Sequence, residues 1–289
     1  MDVEALLAWY DRVRRPLPWR ATRDPYALLV SEVMLQQTQA ARVVPYFLAF
    51  LARFPDPATL AAAPPREVLA VWSGLGYNRR ALALRAAARI IAERGWPDDL
   101  TELPGVGPYT AAAVGSFAWD RHHAAIDTNA SRVIERFDGV ARPPSEVAAR
   151  ATALIPAGRA AAFNQAMMEL GATVCRARAP QCDACPIGAG CATGSTGTAE
   201  RDGPKGRSAR SAGRAAARFE DTDRRAKGRA PARFEDTDRW ARGRVVAALL
   251  AGDEPPAEID GARRERVLAG LERDGLVVRG PDGSLGLPE

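Results

Sequence analysis

The feature that most constrains this chain is a group of four cysteines confined to 17 residues, from Cys175 to Cys191. Their spacing is C-x6-C-x2-C-x5-C, so a single loop must bring four sulfur atoms to one place if they act together. Disulfides are not expected in a reducing cytoplasm. Four thiolates can instead hold zinc or a [4Fe–4S] cluster. Zinc sites more often show two separated C-x2-C knuckles, whereas here only one such pair occurs, with longer arms on each side.

The first 192 residues have the pattern of helices joined by short turns. Stretches such as DPYALLVSEVMLQQTQ and RRALALRAAARIIAERG are apolar at helical spacing. Pro25 and Pro65 suit first-turn positions and Gly95 suits a helix end. No alternation of apolar and polar residues with a period of two stands out. The sequence therefore predicts an all-α domain over residues 1–192, which includes the cysteine loop 175–191.

The composition changes at residue 193. Residues 193–232 are rich in Gly, Ser, Ala and Arg, which is typical of a disordered linker. The heptapeptide RFEDTDR occurs at 218–224 and again at 233–239, a local duplication too short to build a repeat fold. Residues 233–289 contain two helical stretches and then LVVRGPDGSLGL, two short strands around a Pro-Asp-Gly turn. This order predicts a small α+β module like a winged helix, and a packing appendage is the alternative.

The net charge of +5 hints at an anionic partner, but the excess is unevenly distributed. Residues 193–244 hold fourteen Lys or Arg against eight Asp or Glu, a balance of +6 that leaves −1 for the rest of the chain. No apolar run has membrane-spanning length and the first 20 residues lack a signal-peptide pattern. We therefore expect a cytoplasmic protein with no membrane partner.

The cysteine spacing resembles the cluster loop of helix-hairpin-helix DNA glycosylases of the endonuclease III and MutY branch. The resemblance covers about residues 5–192 and implies the two-lobed helix-hairpin-helix glycosylase fold. It also implies a [4Fe–4S] cluster held by Cys175, Cys182, Cys185 and Cys191, with a structural and DNA-positioning role. The expected partner is double-stranded DNA with a mismatch or an oxidised guanine, bound by a monomer associated with the nucleoid.

The segment LPGVGPYTA resembles the hairpin of that family. Without Cβ atoms at Gly105 and Gly107, the backbone can approach a phosphodiester, and the helix after Pro108 presents free amides to the same anion. The family often holds a monovalent cation on the hairpin carbonyls as well. Relatives that also cut the DNA backbone have a lysine at the position of Tyr109. Since residues 1–204 contain no lysine, the sequence predicts a monofunctional glycosylase in which water captures the sugar.

Two carboxylates are the predicted catalytic residues. SEVMLQQTQ, residues 31–39, resembles the signature of MutY-type adenine DNA glycosylases. Glu32 has apolar neighbours, so we expect a raised pKa and a role as general acid toward N7 of adenine; a surface glutamate is the alternative. The resemblance makes Asp127 the group that stabilises positive charge on the sugar and Asn129 its helper, although Asp127 could simply cap a helix. Thr128 stands where the family usually has glycine.

The resemblance also implies residues that contact the flipped base and the DNA. Gln37 resembles the wedge residue and Tyr77 the side chain that enters the base stack. Arg15, Trp19 and Gln165 resemble residues of the base pocket. Core packing is the alternative for Trp19 and Tyr77.

Taken together, the sequence predicts a monofunctional DNA glycosylase that excises adenine opposite 8-oxoguanine or guanine in base excision repair. Typical MutY-type enzymes carry a C-terminal domain related to Nudix hydrolases, for which the last fifty or so residues are too few. A thymine-mismatch (T:G) glycosylase on the same scaffold is one alternative. A catalytically silent iron–sulfur DNA-binding protein is another, although binding alone needs neither Glu32 nor Asp127.

Overall fold

The structure, a computed structural model, describes residues 1–195 and 234–289. Most of the segment interpreted as a linker, and the first copy of RFEDTDR, lie outside these residues. The second copy is described from Phe234 onward. The chain divides into two compact units, one formed by Met1–Glu32 with Val106–Phe219 and the other by Val33–Gly105 with Glu220–Glu289.

The first unit is helical throughout its described part. Helix α2 begins in this unit and ends in the other. The helices with residues in this unit are α1 (Val3–Val13), α2 (Pro25–Leu35), α7 (Pro108–Trp119), α8 (Thr128–Asp138), α9 (Pro144–Thr152), α10 (Ala160–Thr173) and the short α11 (Ala192–Ser195).

Helix α10 is the centre of the first unit, because it packs against α1, α7 and α8. Phe163 and Leu170 of α10 are buried with Tyr10 of α1 and Ile134 of α8. Burial of each large apolar side chain contributes about 1.5–3 kcal/mol. This packing fixes the starts of α7 and α8, where Tyr109 and Asp127 lie.

The second unit joins residues 33–105 to the C-terminal module. Its helices are α3 (Ala40–Arg53), α4 (Pro57–Ala62), α5 (Pro65–Trp72), α6 (Arg79–Arg94), α12 (Asp238–Ala251) and α13 (Gly261–Arg273). Its strands are β1 (Val278–Arg279) and β2 (Leu285–Gly286), paired antiparallel with Val278 opposite Gly286.

The core of the second unit is aromatic between α3 and α5. The ring of Phe50 meets those of Phe54 and Trp72 edge-on, at centroid distances of 5.0 and 5.9 Å. The C-terminal module packs on the same unit, since α12 contacts α5 and Arg66 Nη2 donates to the Leu250 carbonyl at 3.4 Å.

The predicted fold class is confirmed. Among the described residues, helices account for the regular structure of the first 192 residues, and the two strands occur only in the tail, around the predicted turn. Pro25 and Pro65 are the first residues of α2 and α5, and Gly95 ends α6 with a φ of 78°.

Candidate active site

Glu32 lies on α2 and is buried. Only 5% of its surface is exposed, and Leu28 and Leu29 on the preceding turn are 1% exposed. Burial raises the pKa of Glu32 to about 7; a hydrogen bond from Tyr109 opposes this shift, and the charge of Asp127 adds to it. The predicted raised pKa is confirmed. Near neutral pH, Glu32 can therefore carry the proton that a general acid donates.

Tyr109 lies in the first turn of α7, after Pro108 and the extended N-cap residue Gly107. Its hydroxyl interacts with the Glu32 carboxyl and lies 3.8 Å from the Met168 sulfur. Burial, followed by the nearby charges of Glu32 and Asp127, raises the pKa of Tyr109 well above its ordinary value. The hydroxyl therefore stays protonated and can donate to Glu32, whereas it offers no amine that could attack a sugar.

Asp127 is the N-cap of α8, as one of the two interpretations of the sequence expected. Its Oδ1 accepts from the backbone amides of Asn129 and Ala130 at 2.9 and 2.7 Å, and its Oδ2 accepts from Asn129 Nδ2 at 2.8 Å. Capping does not exclude chemistry, because these bonds hold the carboxylate in one orientation. Thr128 is the first residue of α8. It is absent from the positive-φ positions, so the local backbone does not require glycine.

Arg132 is a member of this site that the sequence did not identify. Its Nη2 donates to Asn129 Oδ1 at 2.8 Å and to the Gly171 carbonyl at 2.7 Å, and its Nε donates to the Cys175 carbonyl at 2.8 Å. One guanidinium therefore connects the residue that holds Asp127 with the end of α10 and the first cysteine. The three-residue spacing from Asn129 on one helix face was the available signal.

The predicted pocket residues Arg15, Trp19 and Gln165 belong to the same unit. Arg15 Nε and Arg20 Nη2 donate to the two oxygens of Glu169 at 2.7 and 2.6 Å, and the Glu169 side chain is 1% exposed. Burial raises the pKa of Glu169, but the hydrogen bonds from these arginines outweigh it and hold that pKa below its ordinary value. The sequence did not identify Arg20 or Glu169.

Gln165 has a hydrogen-bond partner within the protein, and Trp19 is buried. Gln165 Oε1 accepts from the Tyr10 hydroxyl at 2.6 Å, one helical turn before Glu169. Trp19 is 5% exposed, which agrees with the core-packing alternative. The polar groups of α10 on this face are thus already oriented in the protein without DNA.

Gln37 and Tyr77 lie in the second unit, and both adopt a left-handed backbone, with φ of 57° and 50°. Such values are uncommon for residues other than glycine and occur often at functional sites. Arg80 supports both turns. Its Nη1 donates to the Gln36 carbonyl at 2.5 Å and its Nη2 to the Gly76 carbonyl at 3.1 Å, and its guanidinium lies 5.3 Å from the Tyr77 ring centroid. The sequence did not identify Arg80.

The two glycines of the hairpin differ in whether the folded chain requires glycine at their position. Gly105 has a φ of 80°, and a Cβ there would approach the Ala83 Cβ to 2.9 Å. Gly107 has an extended backbone, and no atom of the chain lies within 4 Å of the position that a Cβ would occupy. The folded chain therefore requires glycine at 105 but not at 107.

The four cysteines line one cavity, together with Arg136, Gln181 and Thr193 among others. All four side chains are partly buried. Burial and the neighbouring thiolates raise the pKa of Cys182 and of Cys185. Arg136 borders the loop, where its Nη1 donates to the Arg176 carbonyl at 2.7 Å and lies 3.6 Å from Cys175 Sγ. The sequence did not identify Arg136.

The side chains that line this cavity include four cysteines and one arginine. Within residues 1–195 and 234–289, no three side chains of His, Cys, Asp or Glu are placed to share one metal ion. The sulfur atoms instead surround a common space, with a cationic guanidinium at its edge. Four thiolates around such a space are the ligand set of a [4Fe–4S] cluster, and its net negative charge suits the neighbouring arginine.

Comparison with known proteins shows which family this chain resembles. Residues 30–157 match the HhH-GPD superfamily of base excision DNA repair proteins. The chain is 40% identical to the adenine DNA glycosylase of Mycobacterium tuberculosis, over 98% of this chain and 92% of that protein. The Homo sapiens adenine DNA glycosylase is also 40% identical, but over 63% of this chain and 37% of that protein. The mycobacterial similarity therefore extends through the C-terminal module.

Solved structures agree on the fold. A thermostable thymine-DNA glycosylase is 30% identical with a TM-score of 0.63, over 67% of this chain and 95% of that one. An endonuclease III trapped as a covalent intermediate with DNA is 24% identical with a TM-score of 0.59, over 68% and 95% of the two chains.

No helix in the described part of the chain has the length and apolar character needed to cross a membrane. The buried glutamate beside Tyr109, the capped Asp127 and the four-cysteine loop are all consistent with the similarity found along the sequence. Because the similarity covers nearly the whole of this chain and of its mycobacterial relatives, the protein belongs to the adenine DNA glycosylase family within the HhH-GPD superfamily of base excision DNA repair proteins.

Proposed function

We propose that this protein is a monofunctional glycosylase that releases adenine mispaired with 8-oxoguanine or guanine, with Glu32 as general acid and water as the final nucleophile. The observation that carries the proposal is the buried Glu32 carboxyl, whose pKa of about 7 and contact with Tyr109 keep a proton available next to Asp127. The activity itself is that of the family to which the chain belongs.

The first step is departure of the base. The adenine leaves the duplex and its N7 accepts the proton of Glu32. The bond between C1′ of the sugar and N9 then breaks, and its electron pair goes to the protonated adenine. Glu32 is left as a buried carboxylate, which is stabilised by the hydrogen bond from the Tyr109 hydroxyl.

The sugar that remains has the character of an oxocarbenium ion. Asp127 supplies a negative charge whose oxygens already accept three hydrogen bonds, so it acts by position and charge. A water molecule adds to C1′ and gives a proton to Glu32, which restores the starting acid. Arg132 holds the Asn129 amide, and through it Asp127, in the orientation that this step needs.

Tyr109 makes the reaction end with an abasic site. A lyase would form a Schiff base between a lysine amine and C1′ and then cut the strand. The residues around Glu32 offer a phenol in that place, and the chain has no lysine before Lys205. We therefore expect base release without strand scission.

The hairpin and the two left-handed turns are the proposed DNA contacts. Gly107 has no internal need for glycine, which supports a role in close approach of a phosphate. The amides at the start of α7 are available to the same phosphate, and hairpin carbonyls could hold a monovalent cation. Gln37 and Tyr77 are proposed as the side chains that replace the flipped base and open the stack. Arg15 and Gln165 are proposed to line the base pocket.

Cys175, Cys182, Cys185 and Cys191 are proposed to hold a [4Fe–4S] cluster. When bound, this group would fix the loop and its basic residues as a DNA-binding element and would take no part in bond cleavage. Iron and acid-labile sulfide in the purified protein, with a brown colour, are the expected result. Bound zinc without iron would contradict the proposal.

The thymine-mismatch alternative is supported by one structural similarity at 30% identity, whereas the adenine DNA glycosylases reach 40% over nearly the full chain. The retained Glu32 and Asp127 also argue against a silent binding protein.

The deciding experiment uses duplexes that contain A:8-oxoguanine, A:G or T:G, each treated with alkali after incubation to reveal abasic sites. Alkali-dependent cleavage of the adenine strand is expected, with no cleavage in its absence. Cleavage restricted to T:G would refute the adenine assignment. Binding without cleavage would favour the silent protein, and strand scission without alkali would refute the role assigned to Tyr109.

A further inference from the structure

The C-terminal module brings an arginine to Tyr77. Arg239, in the first turn of α12, places its guanidinium carbon 4.2 Å from the centroid of the Tyr77 ring and 5.7 Å from that of Phe234. Phe234 is 55% exposed, so this contact lies at the surface. The three residues form a surface group that joins the module to the turn after α5.

This placement is fixed by further contacts between the module and the same turn. Asp274, at the end of α13, pairs with Arg242 of α12 and also with Arg79, two residues after Tyr77, at 3.5 Å. The Asp274 side chain is 11% exposed, so the two pairs are partly shielded from water. The module is therefore held at the base of the Tyr77 turn, and Arg239 does not reach it by chance.

Arg239 differs from its neighbours in how its N–H groups are used. Six other arginines of the module donate to, or pair with, oxygen atoms of the protein: Arg242, Arg244, Arg263, Arg264, Arg266 and Arg279. For Arg239, which is exposed, no hydrogen bond or ion pair occurs among the described residues. An arginine can stack its planar face on an aromatic ring and still present its edge to a phosphate.

A second guanidinium, that of the partly buried Arg80, also lies over the Tyr77 ring. Burial lowers the pKa of Arg80 to about 10; the nearby Tyr77 opposes this shift and the charge of Arg239 adds to it. Arg80 donates to backbone carbonyls of both left-handed turns, whereas Arg239 is exposed. The Tyr77 ring is thus contacted by one internal and one external guanidinium.

From this arrangement we infer that the C-terminal module is part of the DNA-recognition surface and acts through Arg239. Arg239 is a positioning residue that holds the Tyr77 ring in its strained turn and binds a backbone phosphate beside the point where Tyr77 enters the duplex. This inference rests on the proposed function in taking Tyr77 as the inserted side chain. It gives the module a role that does not require a large lesion-binding domain.

The test compares Arg239→Ala with Arg244→Ala, which removes an equal charge from an exposed site on the same helix that is not in contact with Tyr77. Binding is measured on an A:8-oxoguanine duplex whose adenosine carries a 2′-fluoro group to prevent cleavage. Because an aromatic–guanidinium contact contributes about 0.5–2 kcal/mol, Arg239→Ala is expected to raise the Kd by about 2- to 30-fold. The slope of log Kd against log salt is expected to fall by about 0.9.

Two further variants separate positioning from charge. Arg239→Lys keeps the charge, so its salt slope should match that of the unmodified protein, while it loses the planar stacking and part of the affinity. Arg239→Ala should raise the Kd of the Tyr77→Leu protein by a smaller factor than it raises the Kd of the unmodified protein, because the two side chains act as a unit. Fully multiplicative losses would refute the positioning role.

The outcome is distinguishable from failure of the proposed function. If the unmodified protein releases adenine and Arg239→Ala binds with the same Kd and salt slope as Arg244→Ala, this inference alone is overturned. If the unmodified protein releases no adenine from any duplex, the proposed function fails, and the salt slope still reports whether Arg239 contacts phosphate. Equal visible absorption and thermal midpoints of the variants exclude a folding defect as the cause.

Discussion

Replacing Glu32 with glutamine removes the proton that the proposed reaction needs and also removes a buried charge. The side chain is 5% exposed and its pKa is raised from 4.5 to about 7 by burial. Since the folded chain binds this proton more tightly than the unfolded chain, ionisation weakens the fold. Stability from this group is therefore fully present below pH 4.5, is lost as the pH rises through about 7, and stays low above it.

The size of this effect follows from the two pKa values. Their difference corresponds to about 3.4 kcal/mol. Between pH 5 and pH 8.5, about 2.5 kcal/mol of it is expressed. Relative to the unmodified protein, Glu32→Gln is thus expected to gain about 2.5 kcal/mol in its free energy of unfolding over that interval. Its amide oxygen can still accept the hydrogen bond from Tyr109.

The assay is urea unfolding of both proteins at each pH, under conditions in which refolding restores the starting signal. Glu93→Gln is the matched control, because Glu93 is exposed and its replacement should give no pH-dependent difference. NMR of protein labelled with carbon-13 at glutamate gives the titration of Glu32 directly. The Glu32 signal is the one that is absent from the spectrum of Glu32→Gln. Base release in single turnover should disappear in Glu32→Gln. In the unmodified protein, the rate of base release should fall about tenfold per pH unit above pH 7.

A Glu32 signal that titrates near 4.5, with a stability difference independent of pH, would refute the reasoning. So would full-rate base release by Glu32→Gln. Either result would mean that water reaches the carboxyl, or that another group delivers the proton.

Four other replacements test the surroundings of the site. Arg132→Gln should lower the free energy of unfolding by about 1–3 kcal/mol, because the partly buried carbonyls of Gly171 and Cys175 lose their donor. It should also slow single-turnover base release, and unchanged base release would contradict its positioning of Asn129. Gly171→Ala places a Cβ 2.7 Å from the Asn129 Cβ, so the free energy of unfolding is expected to fall by about 1–3 kcal/mol. Gly107→Ala should weaken DNA binding without any change in the thermal midpoint. Glu169→Gln should cost about 3 kcal/mol in urea unfolding at pH 7, and this difference should shrink as the pH falls below 4.5, because the pKa of Glu169 is held low in the folded chain.

Several parts of the fold follow from local sequence. Apolar spacing identified helices such as α8, because α8 buries one stripe of side chains in the core that it shares with α10. Pro25 and Pro65 marked helix starts because proline lacks the amide that the first turn leaves unused. The hairpin in the tail was predicted from its Pro-Asp-Gly turn, which fixes backbone angles irrespective of the rest of the chain.

The site was predicted only in part. Glu32 and Asp127 were identified from motifs, and the raised pKa of Glu32 from its apolar neighbours. Arg80, Arg132 and Glu169 were not identified, because arginine and glutamate on a helix usually face water and no local pattern shows which distant oxygen or guanidinium they meet. Arg239 likewise lies in a duplicated, basic segment that gave no indication of a contact with Tyr77.

The sequence by itself determined which chemistry is possible: four thiols in one loop, two carboxylates in recognisable motifs, and no lysine amine before residue 205. Those properties are covalent and do not depend on how the chain folds. Tertiary structure decided which groups act on one another. The pKa of Glu32 depends on burial and on Tyr109 and Asp127, and the orientation of Asp127 depends on Arg132 and α10. Desolvation and hydrogen bonding depend on distances between residues far apart in the chain, and only packing fixes those distances.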